Sequence, residues 1–446
     1  MDAPFTSYDA TLDYLYHFTD YERMAKPRDA ATSIFGLARM NQLLEFLGNP
    51  QHRLQAIHIA GTKGKGSTAA MTASMLQHAG ARVGLYTSPH VLNVRERIMV
   101  DGAWIPEERV VAHINRMHPY LQDSLKSRAK YTPTFFEIFT AMAFADFAEQ
   151  DTDFAVFEVG LGGRLDATNV LSPLVCAITH VSFDHMDKLG DSLTLIAGEK
   201  AGILKCTVPV VVAPQDDEAL SAIRARASEV GAPVRLVGKD IALAEQGREF
   251  TVTTPLRAYP HLRLALAGHH QRINAATAVA LAEQAAADGR WRLLKSHVRE
   301  GLARLRWRAR IETVAQRPTV VVDAAHNVVS IRALLATLDA DFRFRRMLLV
   351  FGVSADKDVD AMLRLLAPRA AFAVLTRSTS PRAAPPDELL ARLHKLSDAE
   401  AVACERPDEA LAIARAHAQP DDLVCVTGSF YVAGEVLAAL DRSETP

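Results

Sequence analysis

The chain has 446 residues, enough for two or three domains. Its 49% hydrophobic and 23% charged residues exclude a disordered or collagen-like chain. With 50 Lys+Arg against 52 Asp+Glu the net charge is -2, so no global field draws it to nucleic acid or to an anionic membrane.

The opening residues, Met1 to Asp9, lack a basic segment followed by an apolar one, so no signal peptide is expected. Short runs rich in β-branched residues then alternate with helical patterns. Strands are expected at Leu54–Ala60, Val83–Thr87, Phe154–Val159, Val175–Val181 and Val208–Ala213. A second series is expected at Thr319–Asp323, Met347–Phe351, Phe372–Thr376 and Leu423–Thr427. Most are apolar on both faces, as in parallel strands covered by helices. None is long enough to cross a bilayer. Ser67–Ala79 places Met71, Met75, Leu76 and Ala79 on one helical face. Between about residues 215 and 318 the strand series pauses. That stretch holds an Ala-rich helix at Ala275–Ala287, a hairpin around Arg248–Leu266 and an Arg-rich run at Arg304–Arg310. The alternation predicts an α/β chain with parallel sheets, divided near residue 305 into units 1–305 and 306–446. Cys176, Cys206, Cys404 and Cys425 lack CxxC spacing and read as small buried hydrophobes in a reducing cytosol.

The most informative segment is Gly61-Thr62-Lys63-Gly64-Lys65-Gly66-Ser67-Thr68, which follows a strand and opens a helix. Glycines let the backbone turn and aim N–H groups at an anion, and the helix N-terminus adds partial positive charge. The spacing is not GxxxxGKS. Gly64 to Ala69 also fits GxGxxA, a dinucleotide fingerprint. That reading wants an acidic residue about 20 positions on, and Val83–Ser88 supplies none. A lysine between the glycines suits terminal phosphates better than a pyrophosphate diester. Triphosphate binding is the favoured reading. A dinucleotide site and a plain glycine-rich turn are the alternatives.

This loop resembles that of folylpolyglutamate synthase/dihydrofolate synthase, within the Mur ligase group of ATP-dependent amide-forming ligases. So do Leu85-Tyr86-Thr87-Ser88-Pro89-His90, Glu158 to Asn169, Asp184-His185, Glu199-Lys200, His270-Gln271 with Asn274, Asp323 with His326-Asn327, Ala355-Asp356-Lys357-Asp358 and Thr427 to Tyr431. The resemblance spans nearly 400 residues. It implies a P-loop-type parallel-sheet ATPase domain followed by a smaller Rossmann-like α/β domain. It also implies a cytoplasmic monomer that joins L-glutamate to a folate-type carboxylate through an acyl phosphate. ATP would be the cosubstrate and Mg²⁺ the cofactor, with room for a monovalent cation. Partners would be small molecules only, with no nucleic acid and no membrane. A Mur-type ligase with another carboxylate acceptor and a P-loop small-molecule kinase are the alternatives.

Residue by residue, the resemblance assigns Gly61, Thr62, Lys63, Gly64, Lys65, Gly66, Ser67, Asn274, Arg310, Asp323 and His326 to ATP. It assigns Ser88, Glu158 and His185 to the metal. Lys65, Lys200 and His185 are expected to be catalytic, Lys200 as a carbamate. Thr134, Phe136, Glu137, Asp166 and Asn169 are expected near a pterin-containing substrate. On its residues alone, His185 reads as a surface or core histidine and Lys200 as a helix lysine beside Glu199. Likewise Thr132 to Glu137 reads as an apolar helix start. Two motifs depart from the family. Trp307-Arg308-Ala309-Arg310-Ile311-Glu312 lacks the usual Pro-Gly before the arginine. Asp323-Ala324-Ala325-His326-Asn327-Val328 has Ala324 where glycine is usual.

Overall fold

The computed structural model describes residues 4–20, 36–126 and 132–444. The first sheet contains β1 (Ala56–Ala60), β2 (Val83–Tyr86), β3 (Ile98–Val100), β4 (Ala103–Trp104), β5 (Phe154–Glu158), β6 (Pro173–Ile178), β7 (Val210–Val212) and β8 (Val234–Leu236). Their order is β4-β3-β2-β5-β1-β6-β7-β8. β2, β5, β1, β6, β7 and β8 run parallel, and β3 and β4 fold back antiparallel at one edge. β9 (Ala242–Gln246), β10 (Glu249–Thr253) and β11 (Ala258–Leu262) form a small antiparallel sheet. The last sheet holds β12 (Glu312–Ala315), β13 (Thr319–Val322), β14 (Met347–Phe351), β15 (Ala370–Leu375), β16 (Glu400–Ala403) and β17 (Leu423–Thr427). Their order is β12-β13-β17-β14-β15-β16, parallel except for β12.

All nine expected strands are present. The pause after residue 215 needs correction, because β8 lies inside it and extends the first sheet. The expected hairpin is β10–β11, with β9 added beside it. The Ser67–Ala79 helix is observed as Lys65–His78, but it is buried all round from Gly66 to Leu76 rather than amphipathic. Helices His269–Ala285 and Lys295–Ala303 pack against it, and the first also contacts β6 and β7.

Alternation along β1 sets the layers. Ile57 and Ile59 join Met71, Met75, Val279 and Leu302 in one core, which also takes in Phe250 and Tyr259 of the small sheet. On the opposite face, Ala56 joins a core containing Phe139, Phe144 and Phe157, and Ala60 one containing Ile196 and Ile223. His58 lies between them on the same strand face. The last sheet has its own two cores. One of these accepts Val91 and Leu92 from the loop after β2. In the helix Phe430–Glu444, a Cβ at Gly434 would lie 2.0 Å from the Val91 carbonyl oxygen. Of the cysteines, Cys176 and Cys425 are buried as expected, whereas Cys206 is exposed and Cys404 half-buried, and all are free thiols.

Candidate active site

A cleft of about 1270 Å³ opens at the carboxyl ends of the strands, between the first and last sheets. That is larger than a usual single-ligand pocket, so it has room for more than one substrate. Parallel strands converge their loops at this end, which explains why residues distant in sequence meet here.

The phosphate loop leaves β1 and enters the helix at Lys65. Close approach dictates its glycines. A Cβ at Gly61 would sit 1.9 Å from Thr179 Oγ1, and one at Gly64 would sit 2.3 Å from Asn274 Oδ1. Both also have positive φ, at 147° and 92°. The N–H groups of Thr62 and Lys63 donate to the His180 carbonyl. Anion-binding donors therefore come from Gly64 onward, at the helix N-terminus. Gly66 and Ser67 line the cleft there.

Positive charge gathers around this turn. Lys65 Nζ lies 3.9 Å from Glu158 Oε1. Lys200 is buried and its Nζ donates to the Gly61 carbonyl at 3.0 Å. Burial, with Lys65 nearby, pushes the Lys200 amine down to about 7. Glu199 turns away from it to Arg164. Lys63 points its ammonium at Asp184, 2.9 Å away, rather than into the phosphate cradle. Burial would raise Asp184, but Lys63 and His185 hold it well below the usual carboxylate range.

Glu158 ends β5 and its Oε2 accepts from the Ser88 N–H at 3.1 Å. A Cβ at Gly66 would lie 3.1 Å from that same oxygen, so glycine keeps the space beside the carboxylate open. His185 stands at the cleft mouth with its side chain 45% exposed. Burial, with Lys357, Lys188 and Lys65 adding to it, pushes the imidazole down to about 4 against the pull of Asp184. A hydroxyl, a carboxylate and an imidazole on one side of a phosphate cradle fit a divalent ion that draws its other ligands from water and phosphate. Among the described residues no three His, Cys, Asp or Glu side chains converge as a closed metal cage.

The last sheet closes the cleft. Arg310 is half-buried with its guanidinium carbon 4.8 Å from the Phe430 ring centroid. Asp323 accepts from the N–H groups of Ile311 and Ala325, both at 2.9 Å. His326 Nδ1 bonds the Ala324 carbonyl at 2.8 Å, which leaves Nε2 unprotonated, and burial pushes the ring down to about 3. Ala309, where the family has glycine, still adopts the left-handed region with φ 54°, and Ile311 follows at 52°. Ala324 is not among the left-handed residues, so its Cβ needs no special backbone.

Thr134, Phe136, Glu137 and Asp166 line the other end of the cleft. Thr134 and Glu137 form a capping box for the helix Phe135–Glu149. Glu137 also takes a two-oxygen contact from Arg39 Nε at 3.0 and 3.1 Å. The Phe136 ring crosses Gly160 so closely that a Cβ there would lie 2.5 Å from its Cζ. Asn169 does not reach the cleft, contrary to expectation. Its amide instead ties the carbonyls of Arg164 and Gly202 together.

The sequence reading gave no role to Arg39, and none to Asp184 or Asn327 beyond their motifs. Asn327 Nδ2 donates to Asp184 Oδ2 at 3.2 Å, a bond between the two sheets' loops across 143 residues. Only the fold makes this pairing visible.

Comparison with known proteins gives a consistent picture. The Mur ligase middle domain matches residues 59–282, and the Mur ligase glutamate ligase domain matches residues 309–430. The dihydrofolate synthase/folylpolyglutamate synthase of Bacillus subtilis is 37% identical, over 90% of this chain and 94% of that protein. The folylpolyglutamate synthase of Lacticaseibacillus casei is 34% identical, over 97% and 99%. A Mycobacterium tuberculosis folylpolyglutamate synthase complexed with ADP superposes with a TM-score of 0.87 at 32% identity, covering 97% of this chain and 99% of that one. The E. coli FolC structure in complex with DHPP and ADP gives 0.86 at 28%, covering 99% of each.

Proposed function

The chain belongs to the Mur ligase family, in its folylpolyglutamate synthase/dihydrofolate synthase branch, and from that premise we propose how its cleft performs the ligation. It is an ATP-dependent ligase that joins L-glutamate to a folate-type carboxylate. The observation that carries the reading is the convergence of Lys65, Lys200 and the Gly64–Ser67 turn opposite Arg310, Asp323 and His326.

A carboxylate resists nucleophiles because of its charge and resonance. Its oxygen attacks the γ-phosphorus of ATP, ADP leaves, and an acyl phosphate results. The glutamate amine then attacks the acyl carbon and phosphate departs. The backbone N–H groups at the start of the Lys65–His78 helix hold the phosphate oxygens, and Lys65 neutralises their charge. Arg310, held flat by Phe430, presents a fixed cation from the opposite domain. Asp323 and His326 complete the nucleotide contacts. Ser88, Glu158 and His185 would hold Mg²⁺, which when bound supplies charge neutralisation at the phosphates. Lys200, which sheds its ammonium proton near neutral pH, attacks CO₂ as the neutral amine and gives a second N–H proton to water, leaving a carbamate. Phe136 and Asp166 face the pterin-type end of the acceptor, with the aromatic ring available for stacking.

The division we favour places the ATP-binding unit at 1–305 and the C-terminal unit at 306–446. A cytoplasmic monomer acting on small molecules completes the reading. Among the described residues, no helix is long and apolar enough to cross a membrane. The test is phosphate release with ATP, L-glutamate and either dihydropteroate or tetrahydrofolate. Release should require both acceptor and glutamate and yield an amide. Transfer of phosphate to a stable product without glutamate would assign a kinase instead.

A further inference from the structure

His58 is the polar exception on β1. It is fully buried, with Phe157 and Cys176 as its strand neighbours. An apolar residue would serve that position in the core better, since a buried imidazole loses hydration and recovers it only through hydrogen bonds. Among the described residues its Nδ1 has no hydrogen-bond partner. Its Nε2 lies 2.8 Å from Thr168 Oγ1. That hydroxyl in turn donates to Asp166 Oδ1 at 2.6 Å. A hydroxyl has one proton, and the ionised carboxylate can only accept. Thr168 therefore spends its proton on Asp166 and accepts from His58, which fixes His58 as the neutral Nε2–H tautomer. Burial pushes this imidazole down to about 3, in agreement with a neutral ring.

Asp166 is the one member of this series that reaches the cleft. Oδ1 also accepts from the Thr168 N–H at 3.0 Å, and Oδ2 from the Leu161 N–H at 2.9 Å. A carboxylate has about four acceptor positions and these bonds fill three, so Oδ2 has room for one incoming donor. Burial pushes this carboxyl up overall, and the Thr168 hydroxyl and the backbone donors offset only part of that rise. Aligned donors polarise one another, so each link strengthens the next.

We infer that His58 and Thr168 are positioning residues that hold Asp166 in one rotamer, as an ionised acceptor for a single N–H group of the acceptor's pterin-type ring. This rests on the reading of Asp166 as an acceptor-binding residue. The relay predicts an effect confined to one substrate. Thr168→Val removes the hydroxyl at nearly constant volume and should raise the KM for dihydropteroate or tetrahydrofolate about tenfold, the size of one charge-assisted hydrogen bond. The KM values for ATP and glutamate should stay within about twofold, and Thr168→Ser should restore the acceptor KM to within about threefold. His58→Leu should raise it about threefold alone and not at all in the Thr168→Val background, because the two act in series.

Asp166→Asn separates the two layers of the claim. If it raises the acceptor KM while Thr168→Val and His58→Leu do not, the relay is overturned and the Asp166 reading stands. An unchanged acceptor KM in Asp166→Asn removes the Asp166 reading itself. Equal rises in all three KM values for Thr168→Val, or no recovery with Thr168→Ser, would mark the hydroxyl as merely structural and overturn the relay. Should Thr168→Val not fold, His58→Leu carries the same comparison.

Discussion

The phosphate loop and the segment that faces it from the last sheet both need unusual backbone, and they obtain it differently. At Gly61 and Gly64 a neighbouring side chain occupies the space a Cβ would need, in addition to a positive φ. At Ala309 the limit is internal: the residue carries a Cβ and accepts a left-handed torsion. A wall cannot be negotiated, whereas a torsion costs about 1–2 kcal/mol. The loop therefore reads as fixed in sequence, while the facing turn tolerates a departure from the family pattern.

Substitutions can break this contrast or sharpen it. The largest effect is expected from Lys65→Ala, which should cut ATP turnover by at least about a hundredfold with an unchanged melting temperature. Near-normal turnover would detach the loop from the chemistry. Gly64→Ala should raise the KM for ATP by at least about tenfold, since the new Cβ meets Asn274 and the torsion is wrong as well. Adding Asn274→Ala should not repair it, because the torsion remains. For Lys200, deprotonation through about 7 sets the sign: the neutral amine, and with it carbamylation, grows as pH rises. Activity at fixed bicarbonate should climb from pH 6 to pH 8 by about fivefold and be flat in Lys200→Arg. A wild-type profile that is flat over that interval refutes the carbamate. Asn327→Ala should lower turnover about two- to fivefold while sparing nucleotide affinity, because it removes one polar link between the domains. Smallest is Ala309→Gly, which should stabilise the chain by about 0.5–1 kcal/mol as torsional relief exceeds the added chain entropy. Calorimetry showing a loss of stability would mean the left-handed turn carries no strain.

The same contrast explains what could be read beforehand. Strands apolar on both faces, such as Val83–Tyr86 and Met347–Phe351, announce themselves. The strands that bound the two large sheets, β4, β8, β12 and β16, did not. They are short and partly exposed, so no continuous apolar run marks them. The loop glycines were legible because steric necessity places three of them within six residues. The Lys63–Asp184–Asn327 chain was not, since its members come from three separate strand ends and no spacing connects them. Asn169 shows the reverse: an amide that neighbours cleft residues in sequence ties its own loop to the carbonyls of Arg164 and Gly202.

The contact of Gly434 with the Val91 carbonyl has a mechanical meaning. The last helix rests directly on backbone from the other half of the protein, with no side chain to act as a cushion. Pro89 on one side of that contact and Phe430 on the other line the cleft, so the joint sits beside the site. Contact this close leaves no room for the two halves to slide past each other at that point.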